Sequence, residues 1–399
     1  MLAFGIALAF LVLYFVTFAV NVEPQSDFYK EVLPSYRLLD HGHFLAFVRA
    51  APAYIGSLLL RAPLALLASA IGAGRRATYF LTALPCLVAP GMLAAWLRTG
   101  RQLTDARHGS PARSVRLRPI DLCMLTPCAV ICLSLGHPED ILAATACIAA
   151  TLLAQRGSGR SAGFLLGLAV INKTWALVAL PLVIVLLPAD RRIRGIVAVL
   201  VTAAVVLAPL TIIRNTGSGA TGGAASLGAS LGSGSGGIFL VPQLLWWFGR
   251  HSWVVRESHS LLVVVCWLVT GAWWWLRARG DTAPSARQAL IVLALVFMLR
   301  AALDPWDNLY YFVPFLLTVL TYENPRGFPK LSWLYTILLV VIVPPAGVLH
   351  AIGDNAHAAV FAGFALATIA WFAWKAFSPP RRAPDDAYAA ATTASGAAA

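Results

Sequence analysis

Apolar runs about as long as a bilayer is thick recur from one end of this chain to the other, separated by short arginine-rich blocks. Wound as a helix at ~1.5 Å per residue, a run of ~20 residues matches a hydrocarbon core ~30 Å thick. The chain therefore reads as an all-α integral membrane protein. Of its 399 residues, 59% are hydrophobic and 12% are charged, far from the balance of a soluble domain. The formal charge of +13 does not point to nucleic acid, because the arginines sit between spans, where they fix orientation, and no basic stripe with stacking aromatics is present. Cys86, Cys123, Cys128, Cys132, Cys147 and Cys266 all fall in predicted spans without zinc-type spacing, so they read as small packing residues.

The charge rule predicts the topology. Residues 1–377 form one polytopic domain of about ten full transmembrane helices plus a short helical hairpin, with both termini cytoplasmic. Its first run, Leu2 to Val20, lacks a basic start and a small-residue cleavage signal, so it is expected to be kept as a helix. The loop 21–77 is placed outside because its stretch up to Ala50 carries Glu23, Asp27, Glu31 and Asp40 against Lys30, Arg37 and Arg49, the least basic balance among the long connections. Within it Arg61-Ala62-Pro63 interrupts an apolar run, so Phe44 to Ile71 reads as amphipathic or re-entrant helices whose Phe44, Phe47 and Tyr54 suit a membrane interface. The arginines from Arg98 to Arg118 mark the next connection as cytoplasmic.

Basic blocks flank the run 161–187 on both sides, so a single crossing would put one block on the wrong face. A re-entrant hairpin with Asn172-Lys173-Thr174 at its tip satisfies both. Segment 214–258 is external: it is Gly-rich from Gly217 to Gly237, and then aromatic at Trp246, Trp247, Phe248 and Trp253. Residues 378–399 read as a disordered cytoplasmic tail.

On this topology Asp27, the turn His137-Pro138-Glu139-Asp140, Lys173, and Arg300 with Asp304-Pro305-Trp306 converge on one face. Ionisable groups near membrane depth are costly and usually serve a cavity. Lys173 is one of four lysines among thirty basic residues, and a point-charge ammonium suits a phosphate; the plainer alternative is a lysine snorkelling to the interface. Asp27 suits a general base, or else an N-cap for the helix that follows. Glu139 and Asp140 after Pro138 also make an ordinary helix start. Arg300 fits a phosphate clamp and snorkelling equally well, and Asp304 before Pro305 fits an N-cap.

With these residues in hand, the chain resembles the GT-C superfamily of polytopic glycosyltransferases, in particular the family 87 type of actinobacterial envelope synthesis. The resemblance rests on the acidic first loop with Asp27, the Gly136-to-Asp140 turn, the stretch Gly167 to Trp175, and Leu303-Asp304-Pro305-Trp306 followed by Tyr310-Tyr311. It implies an inverting transferase that moves a sugar, mannose favoured, from a polyprenyl-phosphate donor to a lipid-linked glycan or glycolipid acceptor. The work would take place on the outer face of the cytoplasmic membrane. Asp27 would be the catalytic base, Lys173 and Arg300 would bind the donor phosphate, and His137, Glu139, Asp140, Asp304 and Trp306 would contact sugar or acceptor. No second acid lies two places after Asp27, so no metal is expected, and the lipid donor is a substrate rather than a cofactor. The alternatives are a secondary transporter or flippase, against which no inverted repeat is visible, and a non-catalytic envelope-assembly subunit.

Overall fold

The structure is a computed structural model that describes residues 28–52, 54–107, 119–215, 242–249, 251–277, 284–305, 309–324, 332–342 and 353–378. The predicted first span, the glycine-rich stretch 217–237 and the tail beyond Ser378 lie outside the described residues. Among the described residues every regular element is helical.

A π-helical turn, Phe28–Val32, leads into α1 (Leu33–Asp40), α2 (Phe44–Ala50) and α3 (Ile55–Ala70). Next come α4 (Arg75–Arg107), α5 (Pro119–Leu135), α6 (Glu139–Gln155) and α7 (Gly159–Asn172). A 3-10 turn, Thr174–Ala179, joins α7 to α8 (Leu180–Leu186), and α9 is Ala189–Asn215. The rest comprises α10 (Trp253–Arg256), α11 (Ser258–Arg277), α12 (Ala286–Leu303), α13 (Val313–Glu323), α14 (Trp333–Ile342) and α15 (Asp354–Phe377). Five helices are long and apolar enough to cross a membrane: Arg75–Thr99 of α4, Ala189–Ile213 of α9, Ser260–Arg277 of α11, α12 and α15. Shorter apolar helices, α3, α13 and α14 among them, accompany these. This is a multi-pass membrane protein.

The helices differ in how much of their surface they bury, and the sequence of each says why. α12 is apolar all round, and every residue from Ala289 to Ala302 is buried, so it is the axis on which α6, α11, α13 and α15 pack. α9 is its opposite, exposing Ile193, Leu200, Val205 and Ile212 along most of its length. A lipid solvent is as apolar as these side chains, so no hydrophobic force drives α9 onto the bundle, and close backbone packing must do so instead. Gly159, Gly163 and Gly167 of α7 repeat at four-residue spacing and face α9. A methyl group at 163 would run into the Gly195 carbonyl, and one at 167 would lie 2.7 Å from Thr202 Cβ.

The segment 161–187 is broken at Lys173, and its two ends lie together. Arg191 Nη1 donates to Gly157 O at 2.7 Å, and Gly195 sits against Leu187. Helices α1 to α3 build a second, smaller core around Tyr36, Phe47 and Leu58, closed by Tyr79 and Leu210 of the bundle. Tyr36 Oη donates to Leu58 O at 3.1 Å, and Tyr79 Oη to Leu133 O at 2.6 Å. This corrects the interfacial reading of Phe47, which is fully buried; Tyr54 is half-buried beside His137, and Phe44 stays exposed. The reason is that α2 and α3 both pack on α1, where Tyr36 meets Phe47 and Leu58, which buries a ring more completely than a headgroup layer would.

Gly163→Val should separate α7 from α9, because the obstacle is backbone that cannot rotate away, at a cost of ~1–3 kcal/mol. Gly271→Ala, where no atom lies within 4 Å of the new methyl, should be neutral or slightly stabilising. Thermal unfolding of the two variants in detergent checks both expectations.

Candidate functional site

Breaks in three helices meet at one end of the bundle. α5 ends in a reversal at Gly136 (φ 85°), where His137 N–H donates to Cys132 O at 2.8 Å and Gly136 N–H to Leu133 O at 3.3 Å. This is the double bond pattern of a glycine-terminated helix. Pro138 then opens α6 and puts Glu139 and Asp140 in its first turn, where the helix dipole favours acids. α7 stops at Asn172, because Lys173 is extended (φ −150°, ψ 121°). α12 stops after Leu303 with Arg300 in its last turn, where the dipole favours a cation. The fourth contributor is not a break: Arg61 enters from the middle of α3.

These groups form one buried ionic network. Arg61 Nη2 lies 3.3 Å from Glu139 Oε2, with side chains 1% and 0% exposed. Lys173 Nζ lies 3.1 Å from Glu139 Oε1 and 3.2 Å from Asp140 Oδ2, and Arg300 Nη2 lies 4.0 Å from Asp140 Oδ1. His137 Nδ1 sits 2.8 Å from Glu139 Oε1 and 3.5 Å from Lys173 Nζ. Trp175 Nε1 donates to Asp140 Oδ1 at 2.8 Å, and Asn172 Nδ2 to Glu139 O at 2.5 Å. Arg300 is clamped between the rings of Trp175 and Tyr311, 4.5 and 4.4 Å from their centroids, while Nη1 reaches Tyr311 O at 3.3 Å.

Lys173 is the edge of the network, with its side chain 11% exposed and its ammonium 4.3 Å from the centre of the Tyr54 ring. His137 lies against Tyr310 with ring centres 4.2 Å apart, and Tyr54 meets the imidazole edge-on at 6.0 Å. Two carboxylates thus face three cations, and several contacts are charge pairs without aligned hydrogen bonds, Glu139 Oε2 and Asp140 Oδ2 among them. An anion arriving at Lys173 would find cations already gathered and partners able to exchange.

His137, Glu139 and Asp140 offer ligand atoms within 4.8 Å of one another, a donor set that suits a divalent cation. One oxygen of each carboxylate is held by the Lys173 ammonium, so a metal would compete with that cation.

Of the residues predicted from the sequence, His137, Glu139, Asp140, Lys173 and Arg300 come together here. Asp304 follows directly: it is buried, and its N–H donates to Arg300 O at 3.1 Å. Asp27 and Trp306 lie outside the described residues. Sequence reasoning missed Arg61, taken only as an interruption of an apolar run. Its signal was present, since an arginine in the middle of a short apolar helix with a proline two places on cannot easily snorkel and needs a buried acid. Asn172 and Tyr54 were also missed as members of the network.

Arg61→Met should destabilise by ~3–5 kcal/mol, because it leaves Glu139 buried against fewer cations. Adding Glu139→Gln to it should cost less than the two single changes combined, a coupling of about 1 kcal/mol or more. A double-mutant cycle of detergent unfolding curves measures this, and additive costs would mean that the pair does not interact. Comparison with protein-family models, characterised proteins and solved structures gave no match to this chain.

Proposed function

We propose that the chain is an inverting GT-C-type glycosyltransferase that takes a sugar, mannose favoured, from a polyprenyl phosphate and gives it to a lipid-linked acceptor at the outer face of the cytoplasmic membrane. The observation that carries this reading is the pairing of Lys173 and Arg300 on opposite oxygens of Asp140, at a helix break, beside aromatic rings. In glycosyl transfer, the acceptor hydroxyl loses its proton to a base, here Asp27, and its oxygen attacks the anomeric carbon. The bond from that carbon to the phosphate oxygen breaks, and the electron pair stays on the polyprenyl phosphate. That growing charge needs fixed cations in a dry site, which Lys173 and Arg300 supply. The opposite end of the bundle, with Arg156, Arg191 and Arg192, would be cytoplasmic.

One observation favours a second reading, a transporter or flippase: the break at Lys173 lies inside an ionic network, as at ion-coupled sites.

Purified, reconstituted protein supplied with labelled polyprenyl-phosphate mannose or arabinose should transfer one of them to membrane glycolipid. Asp27→Asn should lower the rate ~10²-fold or more, as loss of a general base does. Lys173→Gln should lower kcat ~10²-fold by removing charge stabilisation. Full transfer by Asp27→Asn would move the base to Glu139, Asp140 or Asp304. Movement of labelled lipid across the bilayer with no transfer would establish the transporter.

A further inference from the structure

An apolar cleft of about 470 Å³ opens on the side of the bundle between α3, α4, α6 and α7. Its floor is made by small or ring-closed residues, Pro85 and Ala89 of α4 and Ala146 and Ala149 of α6, which leave a furrow where larger side chains would fill it. Along α6 the furrow runs from Leu142 to Leu153, ~16 Å at ~1.5 Å per residue, or about half of a ~30 Å hydrocarbon core. That is the depth of one leaflet, and it suits a single acyl chain.

The ends of the furrow differ, and the difference selects the occupant. At the end near Leu60 and Leu142, the neighbouring charges Arg61 and Glu139 are paired with each other and fully buried, so they face away from the cleft. At the other end Trp96 lines the cleft, and the guanidinium of Arg156 lies 4.3 Å over its ring. Arg156 is exposed and makes no ion pair among the described residues. A cation beside the mouth of a one-leaflet hydrocarbon furrow matches a phosphodiester headgroup with its chain below.

We propose that this cleft is a binding site for an anionic phospholipid of the leaflet on the arginine-rich side, with its acyl chain along α6 and its phosphate at Arg156. The site is separate from the ionic network and does not depend on the transferase reading.

The test is native mass spectrometry of the detergent-purified full chain with added phosphatidylglycerol or phosphatidylcholine of identical acyl chains. Wild type should retain the first phosphatidylglycerol about fivefold better, the effect of one basic residue at an anionic lipid. Arg156→Gln should abolish that preference and leave phosphatidylcholine retention unchanged, while Arg160→Gln, an exposed arginine nearby, should preserve it. Ala149→Phe should lower retention of both lipids, and so should Met92→Trp, a rim position 66% exposed that disturbs no core if the former misfolds. Equal retention of the two lipids by wild type would overturn the proposal. So would equal loss of preference in Arg156→Gln and Arg160→Gln, or unchanged retention in the cleft variants. Displacement of phosphatidylglycerol by polyprenyl phosphate with equal strength in wild type and Arg156→Gln would assign the cleft to the carrier lipid and also overturn it.

Discussion

Charge buried inside an apolar bundle must be neutralised by other charge, and the helix ends around Glu139 are arranged by that requirement. Moving one carboxylate out of water costs several kcal/mol even after relaxation. Glu139 meets it with Arg61, Lys173 and His137 at once, which ties α3, α6 and the α7 break to a single side chain. Asp140 does the same for Lys173, Trp175 and Arg300, and so brings in α12. Two adjacent acids in the first turn of one helix therefore set the mutual positions of elements far apart in the chain.

Apolar packing supplies the rest, and it works differently at the axis and at the rim. α12 is held by side chains on every side. α9 is held by its fit against the glycines of α7, with most of its surface left to lipid. Because α7 carries the Lys173 break at one end and this glycine face along its length, backbone contact with α9 adds to the ion pairs of Glu139 and Asp140 in positioning the lysine.

The helical class was legible because apolar run length is a property of sequence alone. The convergence of His137, Glu139, Asp140, Lys173 and Arg300 was also legible, because the alternation of basic blocks assigns helix ends to faces. Arg61 was not, since a charge within an apolar run can be read as a boundary or as a buried partner, and only the location of Glu139 decides between them. Phe47 was misplaced for a similar reason: an aromatic near a membrane end suits an interface until a neighbouring helix covers it. The occupant of the network lies beyond both levels, because phosphate, sugar and coupled ions all seek charges of this kind.

The order of residues along the chain has a consequence for biosynthesis. Arg61 emerges from the ribosome well before Glu139, and Arg300 long after Asp140 and Lys173, although all of them end in one network. The nascent protein must therefore shelter α3 with an uncompensated arginine until α6 arrives, in water, at a headgroup or beside the insertion machinery. The pairings that neutralise these early charges therefore form only after the later helices have been made.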